Sequence, residues 1–455
     1  MALGCSQLPG LDFDQTFAPV VKLSIFRLCL AIAAVENLEI LQIDVKTAFL
    51  YGRLQEVIYM RQPEGFAAPG REKEVCRLIK SIYGLKQAPR VWNTELNDAI
   101  IKFGLTRSEK DQCVYYRLQG EEWIAVLFFV DDGFILGTSK EIVEKFADQI
   151  KKTFEIRTLP AGRFLGMTIN RDREKGELSI SQPDFVDAIL KKFKMEECHP
   201  VRTPAEPGLQ LTREMSPQQQ KEKEEMKNIP YKEAVGALLY LSTTTRPDIS
   251  YAVGQVAKFC QNPGMQHWKT VKRILRYTAG TRSYGILYSK EKGELVTGYT
   301  DADHAGDLDE RASTSGCVFL CSGGPISWFS RKQECNSLST TESEFVAASE
   351  AAKEATWIRS LLKEIQRRGP EPIPLLCDNQ DAIRCAHNPE LHRKMKHIDI
   401  RFRFVKRAQE SGVIDASYVN SENQVADIFT KALPLPKFQY LREKLGIIDV
   451  TRVKE

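Results

Sequence analysis

Val126-Leu-Phe-Phe-Val-Asp131-Asp132-Gly133 is the stretch that decides the fold of the first half of the chain, and the apolar run Phe134-Ile-Leu136 follows it directly. Two apolar runs on either side of Asp-Asp-Gly predict a β-hairpin with two carboxylates at its tip. Neighbouring carboxylates repel each other unless a cation lies between them, and Mg²⁺ prefers such oxygen ligands. An ordinary hairpin turn explains the same tripeptide, so the hairpin alone leaves both interpretations open.

A third carboxylate ends another apolar strand. Leu41-Gln-Ile-Asp44-Val45 is followed by the helix-prone run Lys46-Thr-Ala-Phe-Leu50. Acids at strand ends commonly complete metal sites. Three carboxylates suit a phosphoryl transfer assisted by two metal ions, in which one ion activates a primer 3′-hydroxyl and the other holds the triphosphate. We therefore predict a metal site formed by Asp44, Asp131 and Asp132.

The last third of the chain carries four more acids, each beside a predicted strand or helix. They are Asp301 at the end of a strand, Glu344 in the first turns of a long helix, Asp378 directly after a strand, and Asp427 on a later helix. The predicted order is three strands, helix, strand, helix, strand and helix, which resembles a ribonuclease H domain. The resemblance implies that these acids form its catalytic tetrad and hold two Mg²⁺ ions that assist cleavage of RNA paired with DNA.

Neighbouring acids make this assignment ambiguous. Asp303 lies two residues from Asp301, and Glu342 lies two residues from Glu344. We prefer Glu344 because Glu-Phe-Val-Ala-Ala fits the Glu-x-x-Ala pattern of that domain. A solvated surface carboxylate is the ordinary explanation for any single acid, and only the four in order favour a catalytic site.

Composition sets the broad class of the protein. The 455 residues, 42% of them hydrophobic, predict two to four domains with filled cores. The net charge of +4 requires no particular class of partner. The longest apolar runs have about eight residues, whereas a membrane helix needs about 18 or more, so no membrane contact is expected. Without a secretory signal, the eleven cysteines are expected to be reduced thiols of an intracellular protein.

Two polar breaks divide the chain, at 203–230 and at 289–293. Before the first break, strands alternate with helices, which predicts an α+β domain. The segment between the breaks has apolar residues at helical spacing. The first break is either an exposed connector or a solvated helix.

Several segments, in order, resemble the reverse transcriptase of copia-type LTR retrotransposons. They are Phe13-Asp-Gln-Thr-Phe-Ala-Pro-Val-Val-Lys22, Asp44-Val-Lys-Thr-Ala-Phe-Leu50, Ile58-Tyr-Met-Arg-Gln-Pro-Glu-Gly-Phe66, Ser81-Ile-Tyr-Gly-Leu-Lys-Gln-Ala-Pro-Arg90 and Phe129-Val-Asp-Asp132. The resemblance implies a multidomain α+β and α/β fold, with a right-hand polymerase of fingers, palm and thumb followed by a ribonuclease H-like domain. The implied activity is RNA-directed DNA polymerisation with ribonuclease H cleavage.

The resemblance also implies nucleotide contacts. Phe49 matches an aromatic residue that lies beneath the nucleotide sugar and excludes a 2′-hydroxyl by its bulk, although a core phenylalanine is the alternative. Tyr83, Gly84 and Lys86 match residues that contact the incoming nucleotide or the template. A turn at a helix start explains Gly84 equally well.

A primer-binding segment is implied as well. Phe164, Leu165, Gly166 and Met167 match a hairpin that grips the primer strand. A buried strand with a bulge at Gly166 is the alternative.

The implied domain boundaries complete the prediction. They are 1–177 for N-terminally truncated fingers and palm, 178–290 for a helical thumb and connection with a linker near 203–230, 291–440 for the ribonuclease H-like domain, and 441–455 for a tail. The family has a basic fingers strand upstream of Phe13, and this sequence lacks it. The alternative function is therefore that of a truncated, non-catalytic relic. Such a relic would bind nucleic acid and retain at most hybrid-dependent ribonuclease activity.

The resemblance implies the ligands and the location. The expected cofactor is Mg²⁺, with Mn²⁺ as the alternative ion. The expected partners are an RNA template, a DNA primer and product, the RNA:DNA hybrid, dNTPs and, by family analogy, other Pol and Gag products of the element. The expected location is the cytoplasm, in a virus-like particle, with import into the nucleus.

Overall fold

The computed structural model describes residues 2–293, 296–335, 337–366, 372–387 and 399–453. The helices are α1 Leu23–Val35, α2 Ala88–Lys102, α3 Lys140–Lys151, α4 Pro183–Lys192, α5 Gln220–Lys227, α6 Tyr231–Thr244, α7 Ser250–Ala257, α8 Met265–Gly280, α9 Thr340–Glu364, α10 Gln380–His387, α11 Asp399–Glu410 and α12 Leu435–Lys444. Among these described helices, none combines the length and the apolar character that crossing a bilayer requires.

The strands pair into three larger sheets and one two-stranded ribbon in the described residues. They are β1 Glu39–Val45, β2 Arg53–Arg61, β3 Val75–Lys80, β4 Thr106–Arg107, β5 Val114–Gln119, β6 Glu122–Phe129, β7 Asp132–Gly137, β8 Ile156–Pro160, β9 Arg163–Phe164, β10 Met167–Asp172, β11 Glu177–Ser181, β12 Tyr284–Ser289, β13 Thr297–Asp303, β14 Thr314–Cys321, β15 Gly324–Lys332, β16 Ile373–Cys377, β17 Ile414–Tyr418 and β18 Ile447–Asp449.

The chain forms two compact units. The first unit comprises the described residues within 1–22, 38–161 and 364–366, and the second unit comprises those within 23–37, 162–363 and 367–455. These units cut across the domain boundaries that we predicted, which remain predictions. Helix α1 and the strands β9 to β11 fall in the second unit rather than with the palm strands.

The first unit is built on a sheet in the order β4-β5-β6-β7-β1-β8. The run from Trp123 to Phe128 in β6 is buried without alternation, because the sheet is covered on both faces. Helix α3 places Phe146 and Ile150, four residues apart, in the same core as Ile43 and Val126. This core fixes the ends of β1 and of the β6–β7 hairpin side by side.

The helical part of the second unit packs with a sheet in the order β18-β12-β11-β10-β9. We predicted residues 441–455 as a tail, but Ile447 pairs with Ile286 of β12. The physical reason is that Leu445 and Ile447 are fully buried, and a free tail would leave them in water. Within the polar break 203–230, α5 is a solvated helix that buries Met226 alone among its residues.

The last sheet has the order β15-β14-β13-β16-β17. Its first three strands are antiparallel neighbours, and β16 and β17 join them in parallel after α9. The predicted order of strands and of the long helix is therefore confirmed, with two helices, α10 and α11, described between β16 and β17 where one was predicted. The sheet and α9 bring the ends of β13 and β16 to the same edge, where the predicted tetrad lies.

Candidate active sites

The β6–β7 hairpin carries the first carboxylate centre, which we define as Asp44, Asp131 and Asp132. Its turn places Val130 at a φ of 62°, a conformation that is costly for a β-branched residue. Two hydrogen bonds hold the turn: the Trp92 indole donates to the Val130 carbonyl at 2.7 Å, and the Val45 amide donates to the Asp131 carbonyl at 2.9 Å. Contacts from β1 and α2 thus fix the direction of the acidic tip.

The three carboxylates of this centre influence each other. Asp44 lies directly opposite Asp132 in the β1–β7 register. Burial raises the pKa of Asp132, and the charges of Asp131 and Asp44 add to the increase. Within the described residues, however, these three do not form a group whose ligand atoms all lie within 4.8 Å of one another. The three residues are neighbours in the fold, but their carboxylate oxygens are less closely grouped than those of the potential metal-binding groups.

Two of the predicted nucleotide-binding residues lie beside the first carboxylate centre. The rings of Phe49 and Tyr83 are 4.8 Å apart between centroids. Burial raises the pKa of Tyr83, and the charges of Asp131 and Asp44 contribute to the same shift. Phe49 is half-buried and packs on the edge of the core, and its contact with a nucleotide sugar stays a prediction.

Gly84 and Lys86 have other partners in the structure. Gly84 has a φ of 99°, and a Cβ there would lie 2.1 Å from the carbonyl oxygen of Ala2. A close approach of the backbone therefore explains this glycine. The Lys86 ammonium donates to the Gln7 carbonyl at 3.1 Å and lies 5.0 Å from the centre of the Phe13 ring.

The predicted primer-binding segment is a tight hairpin in the second unit. Leu165 and Gly166 form a two-residue turn with φ values of 47° and 71°, so the alternative of a bulge is wrong. Phe164 and Met167 are buried, and Phe164 stacks on Phe26 with 4.6 Å between ring centroids. Of the four predicted residues, only Leu165 and Gly166 at the tip are accessible to a ligand.

The second carboxylate centre, which we define as Asp301, Glu344, Asp378 and Asp427, is compact. Asp301 lies on β13, Glu344 on α9, Asp378 directly after β16, and Asp427 in a 3₁₀ helix at Val425–Phe429. Ligand atoms of Asp301, Asp378 and Asp427 all lie within 4.8 Å of one another, as do those of Glu344, Cys377 and Asp378. The structure thus brings together all four acids that we predicted for this site.

The neighbouring acids are directed elsewhere. The Glu342 carboxylate accepts a hydrogen bond from the Leu338 amide at 2.6 Å, which caps the start of α9. Asp303 belongs to neither of the groups of potential ligands found among the described residues. The structure therefore favours Glu344 and Asp301 over these neighbours, in line with the sequence interpretation.

A close approach of two elements positions Asp427. Gly316 on β14 lies opposite Asp301 in the register of β13 and β14. A Cβ at position 316 would lie 2.7 Å from Thr430 Cγ2 and 2.9 Å from the Ala426 carbonyl oxygen. Glycine therefore allows the 3₁₀ helix to lie against the sheet and to present Asp427 to Asp301. The Gln424 amide donates to the Thr300 carbonyl at 2.9 Å and secures this packing.

Sequence reasoning missed the residues that hold these carboxylates. The Lys431 ammonium lies 2.7 Å from Asp427 Oδ1 and 3.4 Å from Asp301 Oδ2. Lys437 pairs with Asp427 Oδ2, and the Thr430 hydroxyl donates to Asp301 Oδ2. Ser421 donates to Asp378 Oδ2 at 2.8 Å. The spacing of four residues between Asp427 and Lys431 is the one signal in the sequence that could have indicated an ion pair.

Burial and mutual repulsion raise the pKa values of the second carboxylate centre. Burial raises the pKa of Glu344 to about 10, and the charges of Asp301 and Asp378 add to the rise. Burial also raises the pKa of Asp301 to about 6, although Lys431 opposes the shift. Among the described residues, only Lys431 and Lys437 pair with the four carboxylates, so their negative charges are not fully balanced there.

Glu344→Gln is expected to stabilise the metal-free protein in a pH-dependent way. Because the pKa of Glu344 is higher in the folded state, the unfolded chain loses this proton first, and stability falls as the pH rises above about 4.5 at about 1.4 kcal/mol per unit. Glutamine removes this cost, so the gain is small at pH 4.5 and about 3 kcal/mol at pH 7, or about 5–10 °C in Tm. Thermal melts in EDTA at both pH values measure it.

Glu350→Gln, on the same helix, is the matched control, because Glu350 pairs with Lys353 at 2.8 Å and with Arg401 at 2.9 Å. This control is not expected to stabilise the protein. An equal Tm change for Glu344→Gln at pH 4.5 and pH 7 would show that Glu344 is not held protonated by its surroundings.

The ligands of the second carboxylate centre fit a hard divalent cation. Carboxylate oxygens are the ligands that Mg²⁺ and Mn²⁺ prefer, and these come from four different elements whose backbones are fixed by the sheet and its packing. Cys377 stands at the edge of the group, with Sγ 3.9 Å from Glu344 Oε2. Burial raises the pKa of this thiol, which keeps it a neutral neighbour rather than a thiolate ligand.

Each of the two carboxylate centres gathers acids from separate elements, an arrangement that suits phosphoryl transfer assisted by divalent ions. Residues 1–207 match the family described as reverse transcriptase (RNA-dependent DNA polymerase). The chain belongs to this family, in the branch of the copia-type retrotransposon Pol polyproteins.

Individual relatives support this assignment. The chain is 41% identical over 446 residues to the retrovirus-related Pol polyprotein from transposon TNT 1-94 of Nicotiana tabacum, covering 98% of this chain and 33% of that protein. It is 32% identical over 314 residues to a transposon Ty5-1 protein of Saccharomyces cerevisiae, covering 68% of this chain and 99% of that protein. The chain thus spans about a third of the length of the Pol polyprotein relatives that it matches.

A solved structure of the foamy viral protease-reverse transcriptase with RNA/DNA hybrid aligns with 89% of this chain and 46% of that chain, at 13% identity and a TM-score of 0.43. A similarity of this size has no bearing on function. Family membership implies the use of a divalent metal ion, and the acidic group of the second carboxylate centre is a place where one could bind.

Proposed function

We propose that this chain is an RNA-directed DNA polymerase with ribonuclease H activity, acting through Mg²⁺ at both carboxylate centres, with Mn²⁺ as a substitute ion. The observation that carries the proposal is the convergence of Asp301, Glu344, Asp378 and Asp427 from four separate elements in a member of the reverse transcriptase family. The proposed ligands are an RNA template, a DNA primer, their hybrid and dNTPs.

In the second carboxylate centre, the chain's own residues orient the acids. Thr430 holds Asp301, Ser421 holds Asp378, and the two lysines neutralise Asp427. Asp301 and Asp427 are almost fully buried, so their carboxylates face few competing waters. Bound Mg²⁺ would lower the pKa of the attacking water and neutralise the charge that develops on the departing 3′-oxygen.

In the first carboxylate centre, Asp44, Asp131 and Asp132 would hold the ions that accompany a triphosphate. Tyr83 and Phe49 present aromatic surface next to them, which suits the sugar and base of an incoming nucleotide. The rigid Val130–Asp131 turn keeps the acidic tip in place without a substrate. Primer extension would use the primer 3′-hydroxyl as nucleophile.

Cleavage of a labelled RNA:DNA hybrid by the purified chain, with Mg²⁺ or with EDTA, tests the proposal. A DNA duplex of the same sequence is the matched control, because it lacks the 2′-hydroxyls that distinguish the hybrid. The expected result is cutting of the RNA strand at least about 100-fold faster than cutting of the duplex, and none in EDTA. A folded chain that cuts neither substrate would refute the nuclease half of the proposal.

Extension of a DNA primer on an RNA template, with dNTPs, tests the other half in the same preparation. The alternative of a truncated relic predicts binding of nucleic acid without primer extension, and with at most hybrid-dependent cleavage. Family membership over nearly the whole chain and the presence of all seven carboxylates favour the enzyme over the relic.

A further inference from the structure

The cations of the second carboxylate centre are distributed unevenly. Lys431 bridges Asp427 at 2.7 Å and Asp301 at 3.4 Å, and Lys437 contacts the other oxygen of Asp427. Within the described part of the chain, neither Glu344 nor Asp378 forms an ion pair, although both belong to the same acidic groups. Among the described residues, ammonium groups therefore neutralise the Asp301 and Asp427 side of the centre but not the Glu344 and Asp378 side.

The lysine is the movable partner in these ion pairs. The Asp301 and Asp427 side chains are 3% and 1% exposed, whereas the Lys431 side chain is 40% exposed. A lysine that reaches a buried carboxylate from the surface can swing into water on its flexible stem, with little change in packing. The two aspartates cannot follow it.

We propose that Lys431 is a resident counter-cation that competes with a divalent ion for Asp301 and Asp427. Its ammonium lies within ion-pair distance of one oxygen of each carboxylate, so it competes with a divalent ion for these two oxygens. Lys431 is thus a positioning residue that keeps the two aspartates oriented and sets the concentration of divalent ion at which the centre binds it. This inference rests on the proposed function, since it concerns the same metal ions.

The competition predicts a gain in metal affinity on removal of the lysine charge. Mn²⁺ binding to the full-length chain, followed by the electron paramagnetic resonance signal of the free ion, measures it without any catalysis. All proteins in this experiment carry Asp131→Asn, which weakens the first carboxylate centre. Adding Asp378→Asn to this background weakens the second carboxylate centre as well, so the Mn²⁺ that still binds measures binding at other sites. Lys431→Gln is expected to lower the half-saturating Mn²⁺ concentration about three- to tenfold.

Two further variants separate charge from packing. Lys431→Arg keeps a cation and is expected to stay within about twofold of the parent. Lys353→Gln removes a lysine that pairs with Glu350 on the surface of the same unit, and it is likewise expected to change the half-saturation less than about twofold. Thermal melts in EDTA confirm that each variant is folded at the temperature used.

The results of this experiment can be distinguished from a failure of the proposed function. An unchanged or weaker Mn²⁺ affinity in Lys431→Gln, or the same change in Lys431→Arg, overturns the role of Lys431, even if the parent chain cuts hybrid. Tighter binding in Lys431→Gln alone supports it, even if no cleavage is found and the nuclease proposal fails. In an active chain, the Mg²⁺ concentration for half-maximal cleavage shifts in the same direction.

Discussion

Asp131→Asn is expected to reduce primer extension about 1000-fold, equivalent to about 4 kcal/mol of transition-state stabilisation, and to leave hybrid cleavage within about twofold of the parent. Asparagine matches aspartate in shape but lacks the negative charge that holds a divalent ion. The turn itself does not depend on this charge, because its hydrogen bonds use the Val130 and Asp131 carbonyls. Steady-state extension of a labelled primer on an RNA template measures the effect.

Asp148→Asn is the matched control for this prediction. Asp148 lies on α3 of the same unit and pairs with Lys151 at 2.9 Å on the surface. This control should extend primers at the parent rate. If Asp131→Asn retains more than about a tenth of the parent extension rate, the first carboxylate centre does not hold the catalytic ions.

Local periodicity was sufficient to predict the elements that carry the acids. The hairpin around Asp131 and Asp132, the strand ending near Asp44 and the long helix bearing Glu344 all follow from apolar spacing, and the structure contains each of them. The turn at Val130 did not follow, because a β-branched residue gives no local indication of a positive φ, and the Trp92 hydrogen bond that holds the turn comes from another element.

Contacts between segments that are far apart in the sequence could not be predicted from local patterns. Helix α1 joins the second unit because the Arg27 guanidinium donates to the carbonyls of Ile326 and Thr243, about 300 and 200 residues away. Strand β18 likewise pairs with β12, which is far away in the sequence, because Ile447 is buried there. An apolar segment shows that it must be buried, but it does not show which core will bury it.

The lysines of the second carboxylate centre illustrate the same limit. The sequence places Lys431 one helical turn from Asp427, but its second contact, with Asp301, depends on how the 3₁₀ helix packs on β14. Burial of the acids could not be predicted either, and burial is the main cause of the raised pKa values of Asp301 and Glu344. A tetrad of acids in order therefore predicts a site, but not its charge balance.

Asp301→Asn is expected to reduce hybrid cleavage about 1000-fold and to leave primer extension within about twofold. Asp301 is buried between the Thr430 hydroxyl and Lys431. Replacing its carboxylate with an uncharged amide therefore removes a charged metal ligand from the second carboxylate centre. The protein should still fold, because asparagine conserves the volume and can accept from Thr430.

The sharpest control is Asp303→Asn, which changes the same residue type two positions along β13. Asp303 was the alternative candidate in the sequence, and it lies outside the acidic groups of the described residues. We expect this variant to cut hybrid within about threefold of the parent rate, because no ligand is lost. A loss of cleavage in Asp303→Asn with normal cleavage in Asp301→Asn would move the catalytic aspartate to position 303. Similar losses in both would instead indicate that the end of β13 is sensitive to any change of charge, and the proposed tetrad would then need direct metal-binding measurements on each of its members.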